Sequence, residues 1–313
     1  MEVSVRKPKI CEACGAADAP LVCPCKAALY CNAECQRARW REHREVCTHH
    51  LEKKLAREVG RVGKDHPTVG EATFKLGGLY NRQDRFEEAE EHYSEAIRIF
   101  SVLEDDAAVA DASAALGIVN ARQEGQVDEA VPLLKQAVLM HRRVHGEGHE
   151  SVANDRLNLG NALFRQGQLD GAMKQLEKAR EIYCQLHGED HEKVALVLTS
   201  MANVLSRQGK DAEAMGMTQK ALDIRRRTEG GDSDGLAWSL LNTGISCYEQ
   251  GMHVQALGRF EEGLGIVRKN HPETHAREGS FLREIGRVYC KQGKLEDGLG
   301  MYKKAHRIFL KTL

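Results

Sequence analysis

Glycine recurs at Gly125, Gly167, Gly209, Gly251 and Gly293, every step being 42 residues, and each closes a short motif of the RQG type. A period of this size constrains the fold more than any other feature. A unit of 20–50 residues cannot bury its own apolar face, so copies must stack to make a core. Ahead of each glycine comes a large residue followed by a small one: Leu116-Gly117, Leu159-Gly160, Met201-Ala202, Thr243-Gly244 and Ile285-Gly286. Leu76-Gly77 opens an earlier copy, with Gln83 in step. Small residues follow at Ala89, Ala130, Ala172, Ala214, Ala256 and Gly298, and again at Ala96, Ala137, Ala179, Ala221, Gly263 and Ala305. Six copies of one unit result.

Each unit reads as two amphipathic helices. ESVANDRLNLGNALFRQG carries apolar residues at helical spacing, and QLDGAMKQLEKAREIYCQLHG supplies the second helix. Small residues mark where helices approach closely, and glycine marks the turn. Aromatics are only 5% and prolines six, a composition that favours helix. No stretch approaches 18 consecutive apolar residues, so no membrane-spanning helix is expected. A net charge of -1 argues against nucleic acid held by bulk charge.

The N-terminus has a different chemistry. Seven of ten cysteines precede residue 48, and no apolar signal segment precedes them. An intracellular setting is therefore expected, cytoplasmic with the nucleus left open, where clustered thiols are metal ligands more often than disulfides. The candidates fall in four pairs: Cys11/Cys14, Cys23/Cys25, Cys31/Cys35 and His43/Cys47. Eight such ligands make two closed tetrahedral sets, which suits structural Zn2+ and leaves no open position for catalysis. Residues 33–47 read as a helix capped by Asn32, placing His43 and Cys47 four residues apart on one face. Cys35 lies about 18 Å from Cys47 along that helix, too far to share their ion. The ligands are therefore expected to interleave: Cys11, Cys14, Cys31 and Cys35 on one zinc, Cys23, Cys25, His43 and Cys47 on the other.

C-x2-C, a second cysteine pair, YC-x3-C-Q and W-x2-H-R-x2-C together resemble the MYND-type zinc finger, with all eight ligand positions filled. Cys23-Pro24-Cys25 departs from the family by one residue, a C-x-C in place of C-x2-C. The resemblance implies two structural zincs in a cross-brace finger that serves protein interaction. It also implies a proline-containing peptide held by Gln36 and Trp40. The alternative for Trp40 is the core of a domain too small to have another, and for Gln36 a solvated helix position.

The pattern L-G-x2-L/Y followed by the spaced alanines resembles the tetratricopeptide repeat, in its longer kinesin-light-chain-like form. That resemblance implies a peptide-binding groove on the first helices. The residue before each recurring glutamine is Arg82, Arg122, Arg165, Arg207, Glu249 and Lys291, basic in five of six copies. If this position faces the groove, as in the family, these cations are candidates for an acidic peptide. The alternative is that they simply suit the C-terminal end of the helix dipole. Asn158, Asn161, Asn203 and Asn242 are further groove candidates.

GDSDG at 231–235 formally fits G-x-S-x-G but lies between helices, without the strand that the hydrolase elbow needs. His66, His149, His191 and His275 recur in phase, one unit apart, and are read as connection or cap residues. Cys184, Cys247 and Cys290 are read as apolar fillers. The expected fold is all-α: a tetratricopeptide-type solenoid with a two-zinc finger at 8–48, a linker helix or half-repeat at 49–65, and about six repeats at 66–313. The expected function is a non-enzymatic protein–protein interaction adaptor. Ubiquitin-ligase-like activity, or a regulatory role associated with a methyltransferase, is the alternative.

Overall fold

The computed structural model describes residues 21–22, 29–30, 47–123, 125–228, 232–271 and 275–312. It divides into two compact units, Met1–Glu147 and Gly148–Leu313.

In the first unit β1 (Leu21–Val22) and β2 (Leu29–Tyr30) pair antiparallel, Leu21 opposite Tyr30 and Val22 opposite Leu29. Five helices follow: α1 (Thr48–Val62), α2 (Pro67–Arg82), α3 (Phe86–Val102), α4 (Asp106–Arg122) and α5 (Val127–His145). Each packs on the next. Leu51 and Leu55 of α1 lie on a core of Leu76, Tyr80, Tyr93, Leu116 and Val119. The Tyr80 phenol donates to Glu52 of α1. Burial, then the Glu52 carboxylate, push its pKa up to about 12.

The second unit holds α6 (Glu150–Arg165), α7 (Leu169–His187), α8 (Glu192–Arg207), α9 (Asp211–Thr228), α10 (Asp234–Glu249), α11 (His253–Asn270), α12 (Ala276–Lys291) and α13 (Leu295–Thr312). Here too consecutive helices pack together, and the first helices of successive pairs touch as well. Leu236, Leu240, Phe260 and Phe281 anchor a core that runs from α9 to α13.

The described residues thus form six helix pairs behind α1. Their alanines are the points of contact: Ala89, Ala96, Ala130, Ala137, Ala172, Ala179 and Ala221 are all 0% exposed. The recurring glutamine is the C-cap of every first helix, at Gln83, Gln123, Gln166, Gln208, Gln250 and Gln292. A left-handed residue stands one or two places beyond it, glycine in five pairs (Gly125 to Gly293, φ from 75 to 87°) but Asp84 (φ 55°) in the first. Glu104 (φ 56°) is the other non-glycine residue in this region of backbone space among those described.

The period is less even than the glycines imply. First helices start 42 residues apart from Glu150 onward, but Pro67 to Asp106 spans 39 and Asp106 to Glu150 spans 44. The link between α3 and α4 has three residues where later links between pairs have four or five. The link between α4 and α5 has four where its counterparts have three.

Candidate functional site

Of the eight expected zinc ligands only Cys47 is among the described residues. Cys11, Cys14, Cys23, Cys25, Cys31, Cys35 and His43 lie outside them, as do Gln36 and Trp40. Cys47 is buried, 1% exposed. The rest of the helix expected over 33–47 lies outside the described residues, and Cys47 is itself not helical. Its backbone is extended (φ -79°, ψ 105°), and its carbonyl accepts from Leu51 N as the N-cap of α1. A chain that must turn to enter α1 cannot continue an earlier helix through the same residue. The donor chemistry, seven thiols and one imidazole, fits zinc.

The basic positions are the last residues of their helices, all exposed. In the first unit Arg122 is engaged internally. Its guanidinium donates to Asn81 O (3.2 Å), Asn81 Oδ1 (2.7 Å) and Asp84 Oδ1 (2.6 Å), and lies 4.8 Å from the centre of the Phe86 ring. It therefore serves the carbonyl end of the preceding first helix, α2. In the second unit Arg207 lies 5.2 Å over the Phe164 ring. Gln208 donates to Asp170 Oδ1 and Gln250 to Asp211 O, so these glutamines tie one pair to the one before.

Within the second unit the structure brings Asn203 and Asn242 into one small pocket with Ser206, Ser246 and Glu249, while Asn158 and Asn161 are not among its lining residues. Beside these lies a feature the sequence reading missed. Leu196 is 43% and Trp238 53% exposed, and they occupy the same register, 42 residues apart, each 12 before the capping glutamine. A large apolar residue on the polar face of an amphipathic helix was the available signal. On α12 a buried carboxylate, Glu284 (3% exposed), accepts from Arg283 Nε (3.0 Å) and Arg287 Nη1 (2.6 Å). The Arg287 guanidinium also lies 4.5 Å over Tyr248.

The phased histidines are N-caps. Their Nδ1 atoms accept backbone N–H groups: His66 from Thr68 (3.3 Å), His149 from Ser151 (3.2 Å), His191 from Lys193 (3.3 Å) and His275 from Arg277 (3.2 Å). Ser233 of the GDSDG stretch does the same work for α10, its hydroxyl accepting from Leu236 N at 2.9 Å. Its oxygen is a helix cap, not a nucleophile on an elbow. Asp234 next to it accepts from Asn270, His271 and Arg277. The Asn270 and His271 hydrogen bonds lower its pKa. Burial raises the Cys247 and Cys184 thiols, as befits fillers. Among the described residues no three potential ligands converge on a metal site, and no helix is long and apolar enough to cross a membrane.

The family model of the tetratricopeptide repeat matches in four overlapping windows, residues 68–138, 109–185, 157–226 and 195–269. The chain belongs to the tetratricopeptide repeat family. A second family model, the MYND finger, matches residues 11–47, so this repeat protein carries a MYND finger, a family that binds zinc. Comparison with curated proteins gives no match. Among solved structures the protein is similar to BtubC (BKLC) from P. vanneervenii at 21% identity and a TM-score of 0.62, over 72% of this chain and 91% of that one. A Podosopora anserina putative kinesin light chain with nearly identical TPR-like repeats aligns at 20% identity and 0.55, over 66% and 99%. The apo form of RapI aligns at 16% and 0.56, over 77% and 99%. At such identities the likeness shows the fold alone.

Proposed function

We propose that this tetratricopeptide repeat protein is a non-enzymatic adaptor that binds one protein through its finger and another through the face of its first helices. One observation carries the reading: two protein-interaction families meet in a single chain, the finger at 11–47 and the repeats from residue 68 onward. The finger holds two structural zincs, Cys11, Cys14, Cys31 and Cys35 on one, Cys23, Cys25, His43 and Cys47 on the other. Gln36 and Trp40 receive a proline-containing peptide. On the repeats of the second unit, the exposed Arg165, Arg207 and Lys291 offer charge to acidic groups of an extended peptide, and Asn203 and Asn242 offer amides to its backbone; in the first unit the exposed Arg82 offers the same charge on its own. A Rap protein of similar fold (14% identity, TM-score 0.55) is known complexed with Competence and Sporulation Factor, a precedent for the repeats as a binding surface.

Two measurements test this. Metal analysis should find two zincs per chain, and chelation should unfold the finger while the helical signal of the repeats persists. Each structural site contributes on the order of 10 kcal/mol to folding. Affinity capture with wild type, Trp40→Ala, and a triple charge reversal at Arg82, Arg165 and Arg207 should lose two different subsets of partners. Unchanged partner sets in both variants would sink the assignment of both surfaces.

A further inference from the structure

The first unit holds a pocket of about 400 Å³ between α2, the end of α3 and α4. That volume lies in the range of about 300–1,000 Å³ usual for ligand sites. Its floor is apolar, made by Phe74, Phe100 and Leu103, and its rim carries Glu71, Asp105 and Asp111. Among the described residues no basic side chain lines it. Glu71 stands between this pocket and the neighbouring one between α1 and α2, which it lines together with Lys75, one turn along α2.

The three carboxylates differ in how far they are already committed. Asp105 caps α4, accepting from Ala108 N at 3.0 Å. Asp111 has a side chain 64% exposed, with the buried His141 Nε2 at 3.4 Å as its neighbour. Glu71 is exposed. Glu71 and Asp111 also share one register, each 12 residues before its capping glutamine, so two successive first helices place a carboxylate at corresponding points. The basic end of the same face is weaker than its sequence suggests, because Arg122 is held by Asn81 and Asp84.

We infer that this pocket receives a lysine or arginine side chain of the peptide bound along the first helices of the first unit. The apolar floor takes the methylene stem and the rim carboxylates take the cation, the division that long basic side chains favour. The inference rests on the reading of the first-helix face as a peptide surface and gives that peptide a cationic anchor. Arg82 lies 11 residues from Glu71 on α2, about 16 Å away, so a peptide bearing both charges would span the two ends with about five extended residues.

The test uses the full chain and two fluorescein-labelled octapeptides of alanine and leucine, one with two lysines and one with glutamates in their place. Fluorescence anisotropy at low salt should show the lysine peptide binding about tenfold more tightly, with the preference fading at high salt. Glu71→Gln with Asp111→Asn should abolish the preference. Glu87→Gln with Glu91→Gln, an equal charge change on the exposed side of α3, should leave it intact. A glutamate peptide that binds as well or better, or a preference that survives the Glu71/Asp111 pair, overturns the pocket and leaves the groove reading standing. If neither peptide binds, both fall.

Discussion

Leu176 of α7 occupies the space that a methyl group on Gly160 of α6 would need. A Cβ built on the glycine falls 2.8 Å from two carbons of the leucine and 3.3 Å from the Ala172 carbonyl. Gly117 and Leu134 meet in the same way in the first unit. Where the small residue is glycine, the large-small pair is therefore a steric statement, the first helix lying too close to its partner for a side chain, whereas the α8 pair admits the methyl of Ala202. Gly160→Ala should destabilise the protein by about 1–3 kcal/mol, the usual cost of overpacking. In a Leu176→Ala background the cost should shrink, because the leucine clash is gone, only the 3.3 Å approach to the Ala172 carbonyl remains, and alanine favours helix by about 1 kcal/mol over glycine. Urea unfolding of the four proteins of this cycle decides it. A cost that is equal in both backgrounds would mean that the glycine serves something other than the contact.

His191 caps α8 through Nδ1, and its ring stacks on His187 with centroids 4.2 Å apart. The arrangement recurs 84 residues later at His275 and His271, again at 4.2 Å. Between them the same register holds Ser233, a conventional cap. His191→Ala should cost about 1 kcal/mol, the usual worth of a cap. His191→Ser should stay within about 0.5 kcal/mol of wild type, since serine ranks among the best caps and already serves this register. If serine costs as much as alanine, the stack on His187 and not the cap is what holds this joint.

The helix pairs, their six-fold count and the capping glutamines were legible because each follows from spacing alone. A close helix crossing excludes a side chain whatever surrounds it, so Gly160 announces itself. The phased histidines were readable as connection residues for the same reason. What spacing cannot show is engagement. Arg82 and Arg122 look alike in sequence, yet Arg122 is spent on Asn81 and Asp84. Trp238 and Leu196 stand off the apolar face of their helices, but only the structure shows that both are left exposed. Asp84 and Glu104 break the glycine pattern because acidic residues stand where the backbone turns left-handed, which hides the uneven 39- and 44-residue steps. For the finger, the ligand pattern comes from the sequence and from the family match. Only Cys47 adds a structural fact, that the chain turns there into α1.

His92 of α3 stacks face to face on Tyr80, 5.2 Å between ring centres and 4° between planes. Burial lowers its pKa, outweighing the nearby Glu91, Glu52 and Glu88 carboxylates, which raise it. The folded state therefore prefers the neutral ring more than the unfolded chain does. Stability from this preference is complete above the unfolded histidine value of about 6.5 and is lost as pH falls through that value toward the lower folded one. Other histidines titrate in the same range, so the signature is a difference. Between about pH 7.5 and about pH 5 the urea midpoint of wild type should fall further than that of His92→Gln, which carries no titrating ring. Equal falls in the two proteins would show that the His92 ring protonates as readily folded as unfolded, and that its stack on Tyr80 does not exclude the charge.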